Sequence, residues 1–154
     1  MGETARILVV DDDESIRKTI KAILEEEGYI VDICENGKEA IEKSNIQFYN
    51  LALIDIRLPD MEGTKLLTAM REATPRMVKI IITGYPSLQN AIEAVNKGAD
   101  AYVVKPFNVD SVLKTIKEHL KKQQESKKYT EEKVAEFIET RAKELETMPS
   151  KRVQ

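Results

Sequence analysis

Five short apolar runs rich in β-branched residues punctuate the first 120 residues, and they constrain the fold more than any other feature. They are Ile7-Leu-Val-Val10, Tyr29-Ile-Val-Asp-Ile33, Leu51-Ala-Leu-Ile54, Val78-Lys-Ile-Ile-Ile82 and Ala101-Tyr-Val-Val104. Each has the length of a strand and is too short for a helix. The first, third and last read as strands buried on both faces, which is the habit of parallel sheets. Helical patterns lie between them. Ile16, Ile20, Ile23 and Leu24 share one face and are followed by Gly28, a C-cap residue. A second helix starts near Asn36 or Gly37, a third carries Leu66, Leu67 and Met70, and a fourth carries Leu88, Ala91, Ile92 and Val95 and ends at Gly98. A fifth opens at Asn108, a good N-cap, and carries Val109, Val112, Leu113, Ile116 and Leu120. Strict βα alternation with short connections implies a doubly wound parallel sheet with helices on both faces.

After Leu120 the pattern changes. Residues 121–128 (KKQQESKK) contain no apolar residue, and the helical pattern resumes with Val134, Phe137, Ile138 and Leu145. The balance of charge changes there too, from 15 basic and 20 acidic residues in 1–120 to 9 and 7 in 121–154. We therefore expect a domain over 1–122 and a helical extension or linker over 123–154. Glu139 and Lys143 form a favourable i, i+4 pair within it.

Charge and composition exclude several function classes. The net charge of −3 argues against a direct nucleic-acid binder. One cysteine, Cys34, and one histidine, His119, leave no thiolate or histidine metal site and no disulfide framework. Cys34 reads as a buried strand residue and His119 as a solvated one. No apolar run approaches a membrane span, and the first residues lack the apolar core of a signal peptide, so a cytoplasmic location is expected. No Gly-x-Gly-x-x-Gly follows the first strand, and no phosphate-binding Gly-x-x-x-x-Gly-Lys loop occurs, so nucleotide binding of either kind is excluded.

The polar residues at the strand ends carry the chemistry. Asp11, Asp12 and Asp13 follow the first strand, Asp55 the third, Thr83 the fourth and Lys105 the fifth. Strand C-termini in a parallel sheet share one edge, where open α/β folds bind ligands. With strand order 2-1-3-4-5 these residues meet in one cleft. Carboxylates ~4–5 Å apart repel by roughly 3–4 kcal/mol per pair at an effective dielectric near 20. Lys105 offsets only one of them, so a hard divalent cation is expected. Few protein oxygens are available, which favours Mg²⁺ over a caged Ca²⁺. A cation, an ammonium, a hydroxyl and a free carboxylate are the components of phosphoryl transfer, with Asp55 at the end of the central strand as the best nucleophile.

At these residues the chain resembles the receiver (CheY-like) domain of two-component response regulators. The matching stretches are ILVVDDDESIR (7–17), LALIDIRLPDMEG (51–63), IIITGYPS (80–87) and GADAYVVKPF (98–107). The segment from Thr83 to Phe107 is most similar to receivers of the NtrC-like branch. The resemblance implies a flavodoxin-like (βα)5 fold, to which the pattern after Leu120 adds an extra C-terminal helix, and a signalling role as a phosphoacceptor. Asp55 would accept a phosphoryl group from a sensor histidine kinase, with Lys105 and Thr83 contacting that group. Asp12 would ligate Mg²⁺ directly and Asp11 through water, with Asp55 and the Arg57 carbonyl completing the protein ligands. Thr83 and Tyr102 would form the switch, and the Lys105–Pro106 peptide would be cis. The output and possible homodimer surface would be helix four, strand five and helix five, or the C-terminal helix. Bulky Arg57 and Tyr85 beside the acceptor imply slow self-dephosphorylation. Gly84 stands where many members have alanine, which loosens that loop.

Two other readings compete. The run Asp11 to Ile16 also resembles the opening motif of haloacid-dehalogenase-type phosphatases, with Asp11 as nucleophile and Asp13 as acid/base. Such enzymes need a further acidic pair after the lysine strand, and here only Asp110 follows closely. A receiver reduced to a passive interaction module is the other, and the intact set of Asp55, Thr83 and Lys105 argues against it. Asp13 reads most simply as the N-cap of the first helix.

Overall fold

The computed structural model describes residues 4–147. Residues 148–154 of the expected extension lie outside the described residues. Five strands, β1 (Arg6–Val10), β2 (Ile30–Cys34), β3 (Leu51–Asp55), β4 (Val78–Thr83) and β5 (Ala101–Val104), alternate with five helices: α1 (Glu14–Glu26), α2 (Gly37–Ile46), α3 (Gly63–Ala69), α4 (Leu88–Asn96) and α5 (Val109–Thr147). All neighbouring strands pair in parallel, in the order 2-1-3-4-5 expected from the sequence.

The period-2 alternation of the central strands divides the core into two layers. Leu8, Val10, Ala52, Ile54 and Ile81 face α2, α3 and α4, together with Ala40, Leu66, Leu67 and Ala94. Ile7, Val9, Leu51, Leu53, Ile80 and Ile82 face α1 and α5, together with Ile20, Leu24, Val112, Ile116 and Leu120. The caps are those the residue types favour. Asp13 accepts from the Ile16 amide, Asn36 from Glu39 and Asn108 from Ser111. Gly28 and Gly98, after α1 and α4, both have φ of 96°, a left-handed conformation that glycine adopts without strain.

Three features differ from the sequence reading. β5 is not buried on both faces. It is an edge strand of intermediate burial, with Val104 exposed, and β4 takes the central buried place instead. The apolar positions that mark α4 do not face the sheet: Leu88, Ile92 and Val95 are 80%, 51% and 67% exposed, and only Ala94 is buried. His119 is half-buried, its ring Nδ1 lying 2.9 Å from the Thr115 carbonyl oxygen one turn earlier.

The extension is helical and continuous with α5. The polar segment 121–128 passes through without a break, because Lys, Gln and Glu are good helix formers. Gln123 fixes where the helix leaves the domain. Buried among the strand starts, it donates to the Asn50 and Arg76 carbonyls (both 2.8 Å) and accepts from the Asn50 side chain (3.1 Å). Asn50 in turn accepts from the Arg6 amide at 2.9 Å. Beyond Gln123 the helix runs on for about 36 Å, at about 1.5 Å per residue. Val134, Phe137, Ile138 and Leu145 are exposed along it, and Lys143 pairs with Glu139 at 3.4 Å.

Candidate functional site

Sheet register explains why the strand-end residues converge. Val10 pairs with Ile54 and Thr83 with Val104, so Asp11 and Asp55 leave the sheet level with each other and Lys105 follows directly on the adjoining strand. The Lys105 amide bonds to the Thr83 carbonyl at 2.8 Å, and the Asp11 amide to the Cys34 carbonyl at 3.1 Å. The Lys105–Pro106 peptide is cis.

The Lys105 ammonium donates to Asp11 Oδ2 at 2.8 Å and to Asp55 Oδ2 at 2.9 Å. The remaining carboxylate oxygens take backbone donors. Asp11 Oδ1 accepts from the Asp13 amide (2.9 Å), and Asp55 Oδ1 from the Arg57 amide (3.0 Å). Asp11 and Asp55 are buried and Asp12 is exposed. Oxygens of Asp11, Asp12 and Asp55 lie within 4.8 Å of one another.

This arrangement has a charge imbalance. Burial is the largest influence on Asp11 and lifts its carboxyl above the usual range, against the pull of the Lys105 and Asp13 hydrogen bonds, while the Asp55 charge raises it further. Burial draws the Lys105 ammonium down, but hydrogen bonds and charges from Asp11 and Asp55 outweigh it, and the net shift is upward. Two buried acids share one ammonium, leaving excess negative charge that a cation would neutralise. Three carboxylates with an exposed member suit a hard ion that keeps part of its water shell. The residues present therefore fit Mg²⁺.

Thr83 is buried and its Oγ1 accepts from the Tyr85 amide at 2.9 Å. Tyr102 is partly buried against α4, and its hydroxyl donates to Asn90 Oδ1. The Arg57 guanidinium stacks on the Tyr85 ring, 3.7 Å from its centroid.

Several supports went unseen in the sequence. Arg17 Nη1 donates to the Asp11 carbonyl at 2.7 Å and fixes the first loop from α1. Asp60 accepts from the Gly37 and Lys38 amides at 2.8 and 2.9 Å, which holds its carboxyl below the usual range and ties the loop after β3 to the start of α2. Gly63 sits against the Asp55 backbone, where a Cβ would lie 2.2 Å from the Asp55 carbonyl oxygen. Of these, only Gly63 leaves a trace in sequence, as a glycine opening a helix.

A parallel sheet of order 2-1-3-4-5 with a lysine between two buried acids and a buried threonine on the neighbouring strand is the arrangement this chain presents at its strand ends. Residues 7–117 match the response regulator receiver domain family, and the chain belongs to that family. It is 38% identical over 119 residues to the transcriptional regulatory protein ZraR of Klebsiella oxytoca, an alignment covering 77% of this chain and 27% of ZraR. The chain thus spans about a quarter of that relative's length. A CheY-like receiver domain from Methanospirillum hungatei superposes with a TM-score of 0.77 at 48% identity, covering 80% of this chain and 99% of that one. The beryllofluoride-activated NtrC4 receiver domain dimer gives 0.71 at 40% identity, covering 77% and 98%. The chain is a signalling domain of two-component response regulators, with NtrC-type regulators among its relatives. The phosphatase alternative finds no support. Asp13, its required acid/base, is spent capping α1. Among the described residues no helix is long and apolar enough to cross a membrane.

Proposed function

We propose that this receiver is a cytoplasmic, Mg²⁺-dependent phosphoacceptor switch with Asp55 as the acceptor. The observation that carries this reading is the Lys105 ammonium held between Asp11 and Asp55 at the C-terminal edge of the central strands. An Asp55 carboxylate oxygen attacks phosphorus in line; the P–N bond to a kinase phosphohistidine breaks as the P–O bond forms, and the imidazole leaves and takes up a proton. Lys105 turns from the free carboxylate to the transferred group. Asp12 and Asp55 would hold Mg²⁺ directly, Asp11 would hold it through water, and the Arg57 carbonyl would complete the protein ligands. When bound, the ion neutralises charge on the phosphoryl oxygens. Thr83 gives up the Tyr85 amide to reach the phosphoryl group, and Tyr102 moves with it, shifting a pre-existing equilibrium.

The output surface is the one the core leaves uncovered. Leu88, Ile92 and Val95 of α4 and Val104 of β5 are exposed together. The NtrC4 receiver neighbour is a dimer in its activated form, and we assign this face, extended by the rod of α5, to pairing with a second copy or to an effector. The test uses acetyl phosphate with Mg²⁺. Asp55→Asn is expected to abolish uptake by intact mass, and Lys105→Ala to retain uptake while losing the response of α4. Uptake undiminished in Asp55→Asn contradicts the assignment.

A further inference from the structure

Thr83 and Tyr102 are joined by a chain of hydrogen bonds that passes through one residue of α4. The Tyr85 amide donates to Thr83 Oγ1 at 2.9 Å. The carbonyl of the same Tyr85 accepts from Asn90 Nδ2 at 3.0 Å. Asn90 Oδ1 accepts from the Tyr102 hydroxyl and, at 3.3 Å, from the Ser87 amide. The Asn90 amide donates back to Ser87 Oγ at 3.1 Å, completing a capping box at the start of α4. The partners fix the orientation of the side-chain amide, because a flip would set its NH₂ against the Ser87 N–H and its oxygen against the Tyr85 carbonyl. Asn90 therefore holds three things at once: the loop that carries Thr83, the aromatic on β5 and the first turn of α4.

We propose that Asn90 is the positioning residue that couples Thr83 to Tyr102 and to α4, a role that rests on the phosphoacceptor reading above. When Thr83 turns toward the phosphoryl group, the Tyr85 amide loses its acceptor and the 83–87 loop shifts. The Tyr85 carbonyl moves with the loop and draws on Asn90 Nδ2. Asn90 then releases the Tyr102 hydroxyl and its half of the capping box in one event. The consequence reaches the exposed face of Leu88, Ile92 and Val95, because that face stands on the turn Asn90 caps. α4 has little else to restrain it, with Ala94 its single buried residue.

The experiment follows backbone amides by NMR in the full chain as beryllofluoride is added with Mg²⁺. In the wild type, amides at 83–85, at 88–96 and at Tyr102 are expected to shift together. In Asn90→Ala the amides at 83–85 still shift, while the response of α4 and Tyr102 falls by about fivefold or more. Ser87→Ala is the control, since it removes the hydroxyl half of the capping box and leaves the Tyr102 and Tyr85 bonds to Asn90 in place. It is expected to keep most of the α4 response. A wild-type response in Asn90→Ala overturns the proposal. So does an equal loss in Ser87→Ala, which reduces Asn90 to a helix cap, and so does failure of Asn90→Ala to bind beryllofluoride. A wild type that does not respond at 83–85 overturns the phosphoacceptor reading itself, and the coupling with it.

Discussion

The two flanks of the sheet are built from similar residues and to opposite effect. On one flank, α1 packs on β2 and β1 with Ile20 and Leu24 buried, every residue of the central strand β3 is buried, and Asp55 stands on that strand as on a fixed post. On the other, α4 turns Leu88, Ile92 and Val95 to solvent and β5 is only partly covered. On the proposed function, the difference separates chemistry from response. The acceptor needs a rigid mount, because in-line transfer tolerates little misplacement. The responding surface needs an element whose burial does not hold it in one place, because such elements come from the less stable part of a fold. Thr83 stands between the two, buried at the end of β4, with its loop leading to α4.

Substitutions on the two flanks test this contrast directly. Leu53→Ala, in the buried strand beside α1 and α5, is expected to cost about 2–5 kcal/mol. Ile92→Ala, on the exposed face of α4, should stay within about 0.5 kcal/mol. Denaturant unfolding of both variants decides it, and equal losses would dissolve the distinction.

Cys34, at the end of the edge strand β2 and buried in the layer under α2, α3 and α4, offers a second probe. Burial, the largest influence, pushes its thiol up to about 12 from 9.0. The native thiol should therefore carry about a thousandfold less thiolate at pH 8 than the unfolded chain, and alkylation should be slow until denaturant is added. The sign for stability follows. The unfolded thiol ionises near 9.0 and the buried one only near 12, so its contribution is full below pH 9.0 and is lost as pH rises through that window. Fast alkylation of the native protein would show that this layer opens.

Gly63→Ala tests the mount of the acceptor. The added Cβ meets the Asp55 carbonyl oxygen, a backbone atom, so β3 or α3 must move, at a cost of about 1–3 kcal/mol. Phosphoryl uptake should slow as well, and unchanged uptake would argue that Asp55 needs no such placement. The smallest effect expected is kinetic. Arg57 and Tyr85, two residues beyond Asp55 and Thr83, stack on each other as a bulky pair, so on the proposed reading the acyl phosphate should persist for minutes or longer at neutral pH and turn over faster in Tyr85→Ala. A wild-type half-life of seconds would contradict the role of the stack.

The sequence made the strands legible because β-branched runs of this length have few other uses. It made the site legible because parallel topology sends every strand end to one edge. Asp11, Asp55 and Lys105 could be placed together before any distance was known. The facing of α4 was not legible: Leu88, Ile92 and Val95 show that a helix has an apolar side, and periodicity does not say what covers it. The partial exposure of β5 was obscured for a related reason, since Ala101-Tyr-Val-Val104 is as apolar as a strand buried on both faces. The unbroken α5 was hidden by the lack of apolar residues in 121–128, whose helix is sustained by propensity and by Gln123 reaching carbonyls far away in the chain. Asn90 was invisible because its role depends on Tyr102, Tyr85 and Ser87 meeting around one amide, which no local pattern encodes.

The central claim is that Asp55 is the acceptor, and mapping the modified residue tests it most directly. The protein is treated with acetyl phosphate and Mg²⁺, the acyl phosphate is trapped with borohydride, and the peptides are sequenced by mass spectrometry. The account predicts modification at Asp55 and nowhere else, lost without Mg²⁺. Modification at Asp11, or none under conditions where Mg²⁺ binds, would contradict it.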